Sequence, residues 1–265
     1  MGEHRYTADL ALALSLADRA DDLVMQRYLA LDLVVETKPD LTPVSDADRA
    51  VERLLRDALA VERETDLVHG EEYGADGDAS HGRVWVLDPI DGTKNFVRGV
   101  PVWATLIALL VDGRPVVGVV SAPALGRRWW AAAGEGAWTG GALAETRRIR
   151  VSAVARLPDA SVSVSDHDGW AEVGRAKGFA DLLDGAWRTR AYGDFWSHML
   201  VAEGAVDIAA EPALALWDVA ALVPVVEEAG GRITGWDGLA VTGPTGGITT
   251  NALLHEEVLR TLNRP

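Results

Sequence analysis

The chain has 265 residues, enough for one large domain or two smaller ones, and although 48% of them are hydrophobic no run is long and apolar enough to cross a bilayer. There is no cysteine, which excludes disulfides, thiolate zinc sites and cysteine nucleophiles. With 25 Lys+Arg against 40 Asp+Glu the formal net charge is −15, a surface that repels nucleic-acid backbones and anionic membranes.

The opening Met1-Gly2-Glu3-His4-Arg5 lacks the basic-then-apolar order of a secretion signal, so a cytoplasmic protein is expected. A first helix is expected from Thr7 to about Ala30, on the spacing of Leu10, Leu14 and Ala17. A short strand at Leu33–Val35 and a loop over residues 38–43 follow. The next helix starts at Ser45 and carries Val51, Leu54, Leu55, Ala58 and Leu59; Ser45 and Asp48 have the spacing of a capping box. Strands are expected at Asp66–His69, Val84–Leu87, Ala104–Val111, Pro115–Ser121 and Arg128–Ala132, with a hairpin at Asp112-Gly113-Arg114. Helical pattern returns at Asp194–Glu203, stopped by Gly204. A strand at Val206–Ala210 precedes a helix over Trp217–Ala229, which Pro224 should kink or divide and Gly230-Gly231 should close. A last helix spans His255–Leu262. Mixed α and β elements with a weak division at residues 140–155 give two halves, residues 1–145 and 146–265.

Chemistry concentrates in Trp85-Val86-Leu87-Asp88-Pro89-Ile90-Asp91-Gly92-Thr93. The strand is expected to end at Asp88, which Pro89 holds extended, and Gly92 permits a tight turn. Two carboxylates three residues apart on such a turn can converge, and hard oxygen ligands suit Mg²⁺. Alone, Asp88 and Asp91 read as turn residues, Asp218 as a helix cap and Asp48 as half of a capping box. Together with Gly70-Glu71-Glu72 and Trp217-Asp218, each at the end of a regular element, they point to one site. Cations there would also answer a problem that the net charge poses for an anionic substrate.

Gly70-Glu71-Glu72, then Asp88-Pro89-Ile90-Asp91-Gly92-Thr93, then Trp217-Asp218-Val219-Ala220 with Glu227, Ala229, Gly230 and Gly231 behind it, resembles the inositol monophosphatase family in order and spacing along nearly the whole chain. The resemblance implies an α+β fold, the layered αβαβα sandwich, with most metal ligands in the first half and Asp218 and the substrate contacts in the second. It implies a Mg²⁺-dependent phosphomonoesterase with two to three ions per site, and commonly a homodimer. By resemblance, Glu71, Asp88 and the Ile90 carbonyl match the ligands of a first ion and Asp88, Asp91 and Asp218 those of a second; a third, weaker ion leans on Glu71. Thr93 and Asp48 match the pair that positions and activates water. Two such cations about 3.5–4 Å apart can clamp the attacking and leaving oxygens of a displacement. Asp46-Ala47-Asp48 does not suit an aspartyl nucleophile, because Pro43 precedes it and Ala50 follows; no histidine stands in an Arg-His-Gly context, and His69 is expected to be structural. Asp76-Gly77-Asp78 is too short for an EF-hand loop.

The organic part of the substrate is read from Arg190-Ala191-Tyr192-Gly193-Asp194-Phe195 and Glu211, which match the family's substrate segment; Asp91, Gly92, Thr93 and Asp218 complete that set. A carboxylate and an aromatic ring at Asp194 and Phe195 suit a substrate with an ammonium group and a flat apolar part, as in histidinol phosphate. The competing reading makes Asp194 a helix N-cap. The stretch Gly92–Trp103 and Arg127-Arg128-Trp129-Trp130 resembles the actinobacterial-type histidinol-phosphatase branch of the family, while the tryptophans Trp103, Trp129 and Trp130 are expected in the core or at a dimer interface. The alternatives are an inositol-1-phosphate or broad sugar-phosphate phosphatase, and a catalytically silent metal-binding protein.

Overall fold

The computed structural model describes residues 5–38, 42–165, 167, 169–241 and 245–264; residues 1–4 and residues 39–41 of the expected loop lie outside it. Helix α1 (Thr7–Arg27) buries a stripe of Leu10, Ala13, Leu16, Ala17, Ala20 and Val24. It ends three residues before Ala30: Tyr28 turns extended, Leu29 takes φ +63°, and Tyr28 Oη donates to the Gly99 carbonyl at 2.7 Å. Strand β1 (Val35–Thr37) pairs antiparallel with β2 (Pro43–Ser45), so the strand lies later than Leu33–Val35 and Pro43 belongs to a strand. All three β1 residues are exposed. Backbone pairing, not burial, places that strand. Helix α2 (Asp46–Glu62) opens with the expected capping box, Ser45 Oγ accepting from the Asp48 N–H and Asp48 Oδ2 accepting from the Ser45 N–H.

Strands β3 (Leu67–Gly70), β4 (Gly74–Ala75), β5 (Arg83–Asp91), β6 (Ala104–Val111), β7 (Arg114–Ala122), β8 (Arg127–Ala132), β9 (Ala137–Gly141) and β10 (Ala144–Arg148) form one sheet in the order β10-β9-β8-β7-β6-β5-β3-β4. Asp112 and Gly113, both at positive φ, turn the β6–β7 hairpin. Strand β5 does not stop at Asp88 but runs to Asp91. Pro89 is tolerated there because the pairing with β6 shifts register between Asp88 and Asp91, where no ladder N–H is required of it. Thr105 Oγ1 donates to the Pro89 carbonyl at 2.8 Å and fixes the irregularity. The six-residue helix α3 (Thr93–Arg98) follows directly.

The second half contains β11 (Ser161–Val164), α4 (Gly169–Glu172), α5 (Ala176–Gly185), β12 (Arg188–Arg190), α6 (Asp194–Ala202), β13 (Ile208–Leu214), α7 (Leu216–Val219), α8 (Leu222–Glu228), β14 (Arg232–Thr234), β15 (Thr245–Thr250) and α9 (His255–Leu262), with sheet order β12-β11-β13-β15-β14. The helix expected over Trp217–Ala229 is divided into α7 and α8, as Pro224 demands: it has no N–H for the Ala220 carbonyl and its ring crowds that oxygen.

Helices α1 and α2 cover one face of the large sheet. Helices α6 and α8 fill the space between the two sheets, and α4, α5 and α9 cover the outer face of the small one. These are the five layers of the αβαβα sandwich. The central layer is shared: Val84, Leu106 and Trp129 of the large sheet pack in one core with Phe195, Val219 and Val225. Trp103 and Trp129 are fully buried, and Trp130 is partly buried against the α1 side.

Candidate active site and metal centre

In a regular strand, residues three apart face opposite sides of the sheet. The register shift in β5 removes that alternation, and Asp88 and Asp91 turn toward the same point, joined by Asp218 from α7. Carboxylate oxygens of the three lie within 4.8 Å of one another. Asp88 is 1% exposed, and its Oδ1 has no hydrogen-bond partner among the described residues. Asp91 Oδ2 accepts from the Phe195 N–H at 2.7 Å and Asp218 Oδ2 from the Ala215 N–H at 2.7 Å. Burial, then repulsion from Glu71, Asp91 and Asp218, raises the Asp88 carboxyl well above the usual carboxylate range; burial and Asp194 do the same to Asp91. Burial pushes Asp218 up to about 7. Mutually repelling carboxylates, Asp88 buried and Asp91 and Asp218 partly so, with an oxygen that has no partner among the described residues, form an arrangement that a hard cation would stabilise.

Glu71 stands at the mouth of this cluster, directly after β3. Its turn is held from below by Glu52 of α2, which is 0% exposed and accepts from the Glu72 N–H at 2.7 Å and the Tyr73 N–H at 3.2 Å. Gly70 is required here, because a Cβ would fall 1.9 Å from Glu52 Oε1. Lys38 Nζ, 2.7 Å from Glu71 Oε1, reaches the same mouth from the β1 side.

Asp48 divides its two oxygens between structure and site. Oδ2 closes the capping box, while Oδ1 accepts from Thr93 Oγ1 at 3.2 Å. The Thr93 hydroxyl is also 2.9 Å from the Ile90 carbonyl, so Thr93, Ile90 and Asp48 meet at one oxygen. Asp48 is 0% exposed, and burial pushes its carboxyl up to about 6. Gly92, at φ +84°, makes this approach possible: a Cβ there would sit 3.0 Å from the Val102 carbonyl and 3.3 Å from Asp194 Oδ2.

Two adjoining cavities open beside these groups. One, about 470 Å³, is lined by Glu71, Gly92, Thr93, Lys94 and Asp218 among others; the second, about 330 Å³, by Asp91, Ser165, Asp194, Glu211 and His198 among others. Asp194 is not an N-cap. The cap position is Gly193, at φ +81° with no side-chain capping bond, and the Asp194 carboxylate turns into both cavities, where Asn95 Nδ2 donates to its Oδ2 at 3.0 Å. Burial raises its carboxyl, which Lys94 partly offsets. Ser165 Oγ accepts from the Asp194 N–H and donates to Glu211 Oε1, tying the two acids together. Phe195 also lines the 330 Å³ cavity, but its ring packs edge-on against Trp129 in the core, and its amide serves Asp91. Arg190 is exposed on β12, with Nη1 on the Thr189 carbonyl, and lines neither cavity.

The inositol monophosphatase family matches residues 6–264. The chain belongs to the inositol monophosphatase family. It is 61% identical over 257 residues to a histidinol-phosphatase of Mycobacterium tuberculosis, covering 96% of this chain and 98% of the relative. To a histidinol-phosphatase of Streptomyces coelicolor it is 57% identical over 265 residues, covering 98% of each. Among solved structures, an inositol monophosphatase from Zymomonas mobilis matches with a TM-score of 0.84 at 32% identity, covering 98% of this chain and 99% of that one.

Beyond the residues expected from sequence, this family member places Glu52, Lys38, Lys94, Asn95, Ser165 and His198 at or beneath the site. Ser165 carried a legible signal: Ser161-Val162-Ser163-Val164-Ser165 alternates, and its polar face leads along β11 to the cavity. Glu52 carried none, because an acid on a helix rich in charge reads as a solvated face. His69 stands with its ring 5.8 Å from that of Trp217, beside the site and outside the carboxylate cluster.

Proposed function

We propose that this chain is a Mg²⁺-dependent phosphomonoesterase whose substrate is histidinol phosphate, an amino-acid biosynthetic enzyme of the histidine route. The observation that carries the reaction class is the convergence of Asp88, Asp91 and Asp218 around a buried carboxylate oxygen with no partner among the described residues. The identities of 61% and 57% to two histidinol-phosphatases support the substrate.

The donor set is all oxygen, as a hard divalent cation requires. In this reading Glu71, Asp88 and the Ile90 carbonyl would hold one ion, Asp88, Asp91 and Asp218 a second, and a third, weaker ion would lean on Glu71. Ions bound there neutralise phosphate charge, activate water and stabilise the leaving oxygen. The chain's own groups do the rest. Thr93 Oγ1 takes a proton from the attacking water as it gives its own to Asp48 Oδ1, whose raised carboxyl is a suitable acceptor near neutral pH, so the threonine ends neutral. Gly92 caps α3 and Thr93 is its first residue, so their N–H groups precede its ladder and would be the ones to meet the phosphate. Asp194 and Glu211, fixed by Asn95 and Ser165, receive the substrate ammonium. Residues 1–145 then supply most of the metal ligands and residues 146–265 supply Asp218 and the organic subsite. A cytoplasmic homodimer is part of the same proposal, and light scattering on the purified protein tests the dimer.

The deciding experiment is phosphate release by purified protein from histidinol phosphate, inositol 1-phosphate, sugar phosphates and glycerol phosphate, with Mg²⁺ and with a chelator. Metal-dependent release with the highest kcat/KM on histidinol phosphate is expected. A preference for inositol phosphate would overturn the substrate and leave the reaction class; release unaffected by chelation would overturn the metal centre.

A further inference from the structure

His198 lies on the helix that carries Asp194 and Phe195, and nothing in the phosphate chemistry uses it. It is 1% exposed. Its Nδ1 is 2.7 Å from Thr249 Oγ1, and its Nε2 is buried with no hydrogen-bond partner among the described residues. The small sheet fixes where the ring lies. Gly247 and Thr249, two apart on β15, share one face, and Gly247 is the register partner of Glu211 on β13. A Cβ on Gly247 would meet Leu214 Cδ1 at 2.3 Å and, beyond it, His198 Cε1 at 3.9 Å. The ring therefore runs from Thr249 along the sheet toward Gly247, against Leu214, and His198 lines the 330 Å³ cavity with Leu214, Glu211, Asp194 and Ser165. A buried polar atom left unpaired costs as much as a lost hydrogen bond, which marks this position as one that a partner fills.

We propose that His198 Nε2 is a specificity-determining contact for the organic part of the substrate, hydrogen-bonding an uncharged nitrogen heterocycle whose neighbouring ammonium group is held by Asp194 and Glu211. The inference rests on the substrate reading above and assigns the recognition of its flat part to a residue other than Phe195. Burial lowers the His198 ring to about 4, so it is neutral at working pH, with one N–H and one lone pair. The Thr249 hydroxyl both donates and accepts, so the tautomer can follow the ligand, and Nε2 can meet either a ring N–H or a ring lone pair.

The test uses two variants and three substrates. The Asn side chain in His198→Asn keeps a polar atom near the Nδ1 position, against Thr249, but does not reach the Nε2 position; that in His198→Gln reaches it. The substrates are histidinol phosphate, 2-aminoethyl phosphate, which has the ammonium without the ring, and glycerol phosphate, which has neither. His198→Asn is expected to lower kcat/KM for histidinol phosphate about tenfold, mainly through KM, and to change the other two by less than about twofold. His198→Gln is expected to recover most of the loss. In the wild-type protein, the ¹⁵N resonance of His198 Nε2 is expected to move on adding histidinol and not on adding ethanolamine, a readout that needs no variant. Equal losses on all three substrates, or an Nε2 resonance indifferent to histidinol, would overturn the proposal and make the ring a packing element. A wild-type enzyme with no preference for histidinol phosphate over 2-aminoethyl phosphate would overturn this inference and the substrate reading together.

Discussion

Thr93 Oγ1 stands 3.2 Å from Asp48 Oδ1, while the other oxygen of the same carboxylate closes the capping box that starts α2. One side chain thus fixes the entry of a helix and the orientation of a hydroxyl 45 residues away. The arrangement predicts that Thr93→Ala lowers kcat by about a hundredfold or more with a small change in KM, the signature of a group acting in the transition state. Steady-state kinetics at saturating Mg²⁺ check it; a variant that binds less metal and keeps its kcat would show that Thr93 is structural.

Metal removal should reveal the repulsion stored in the carboxylate cluster. Asp48 is raised to about 6 and Asp218 to about 7, both by burial, against an unfolded value near 4. A carboxyl raised in the folded state favours folding when protonated. That contribution is complete below about pH 4 and is lost as pH rises through 6 to 7. The chelated protein is therefore expected to melt higher at pH 6 than at pH 8, with Mg²⁺ raising Tm most at pH 8. Asp88→Asn should raise Tm in chelator and abolish the Mg²⁺ increment. Thermal melts across pH with and without Mg²⁺ measure both; an Mg²⁺ increment that survives Asp88→Asn would exclude Asp88 as a ligand.

Gly70 and Glu52 provide a test away from the chemistry. A Cβ at position 70 would lie 1.9 Å from Glu52 Oε1, and Glu52 is fully buried, so one of them must move. Gly70→Ala is expected to cost about 1–3 kcal/mol of stability by overpacking and to displace the turn that carries Glu71. The Mg²⁺ concentration for half-maximal activity should rise several-fold, with kcat nearly recovered at saturation. Urea unfolding and Mg²⁺ titration of activity read the two effects separately, and an unchanged titration would show that the Glu71 turn is not held through Glu52.

The clustered carboxylates Asp88, Asp91 and Asp218 were legible in the sequence because hydropathy and turn chemistry announce the strand and the helix that carry them. The capping box at Ser45, the Asp112-Gly113 hairpin and the break at Pro224 were legible for the same local reasons. The bulge in β5 was not: it depends on the partner strand, so Asp88 read as a strand end and the convergence with Asp91 as a turn. Exposed β1 and the short edge strands β4, β12 and β14 are set by backbone pairing that leaves little trace in hydropathy. The aromatic ring of Phe195 was read as a substrate surface because its position in the chain is right; only tertiary packing shows it turned inward to Trp129.

The remaining prediction concerns Asp194, whose carboxylate lines both cavities and caps no helix. Its backbone sits at φ +50°, an uncommon conformation for a residue with a side chain, and two bonds hold it there: its N–H on Ser165 Oγ at 2.8 Å and Asn95 Nδ2 on its Oδ2 at 3.0 Å. Asn has nearly the same shape and favours the same backbone region, and its carbonyl oxygen can still accept from Asn95, so Asp194→Asn removes charge and leaves the fold. A charge-assisted hydrogen bond to a substrate ammonium contributes about 1.5–3 kcal/mol, a ten- to hundredfold effect. Asp194→Asn is therefore expected to lower kcat/KM for histidinol phosphate by that factor and to leave glycerol phosphate hydrolysis within about threefold, because glycerol has no cation to lose. Removing one of the carboxylates that repel Asp91 also eases the metal cluster, so the Mg²⁺ requirement should not tighten. Equal losses on the two substrates would mean that the carboxylate serves the site as a whole and does not select the alcohol.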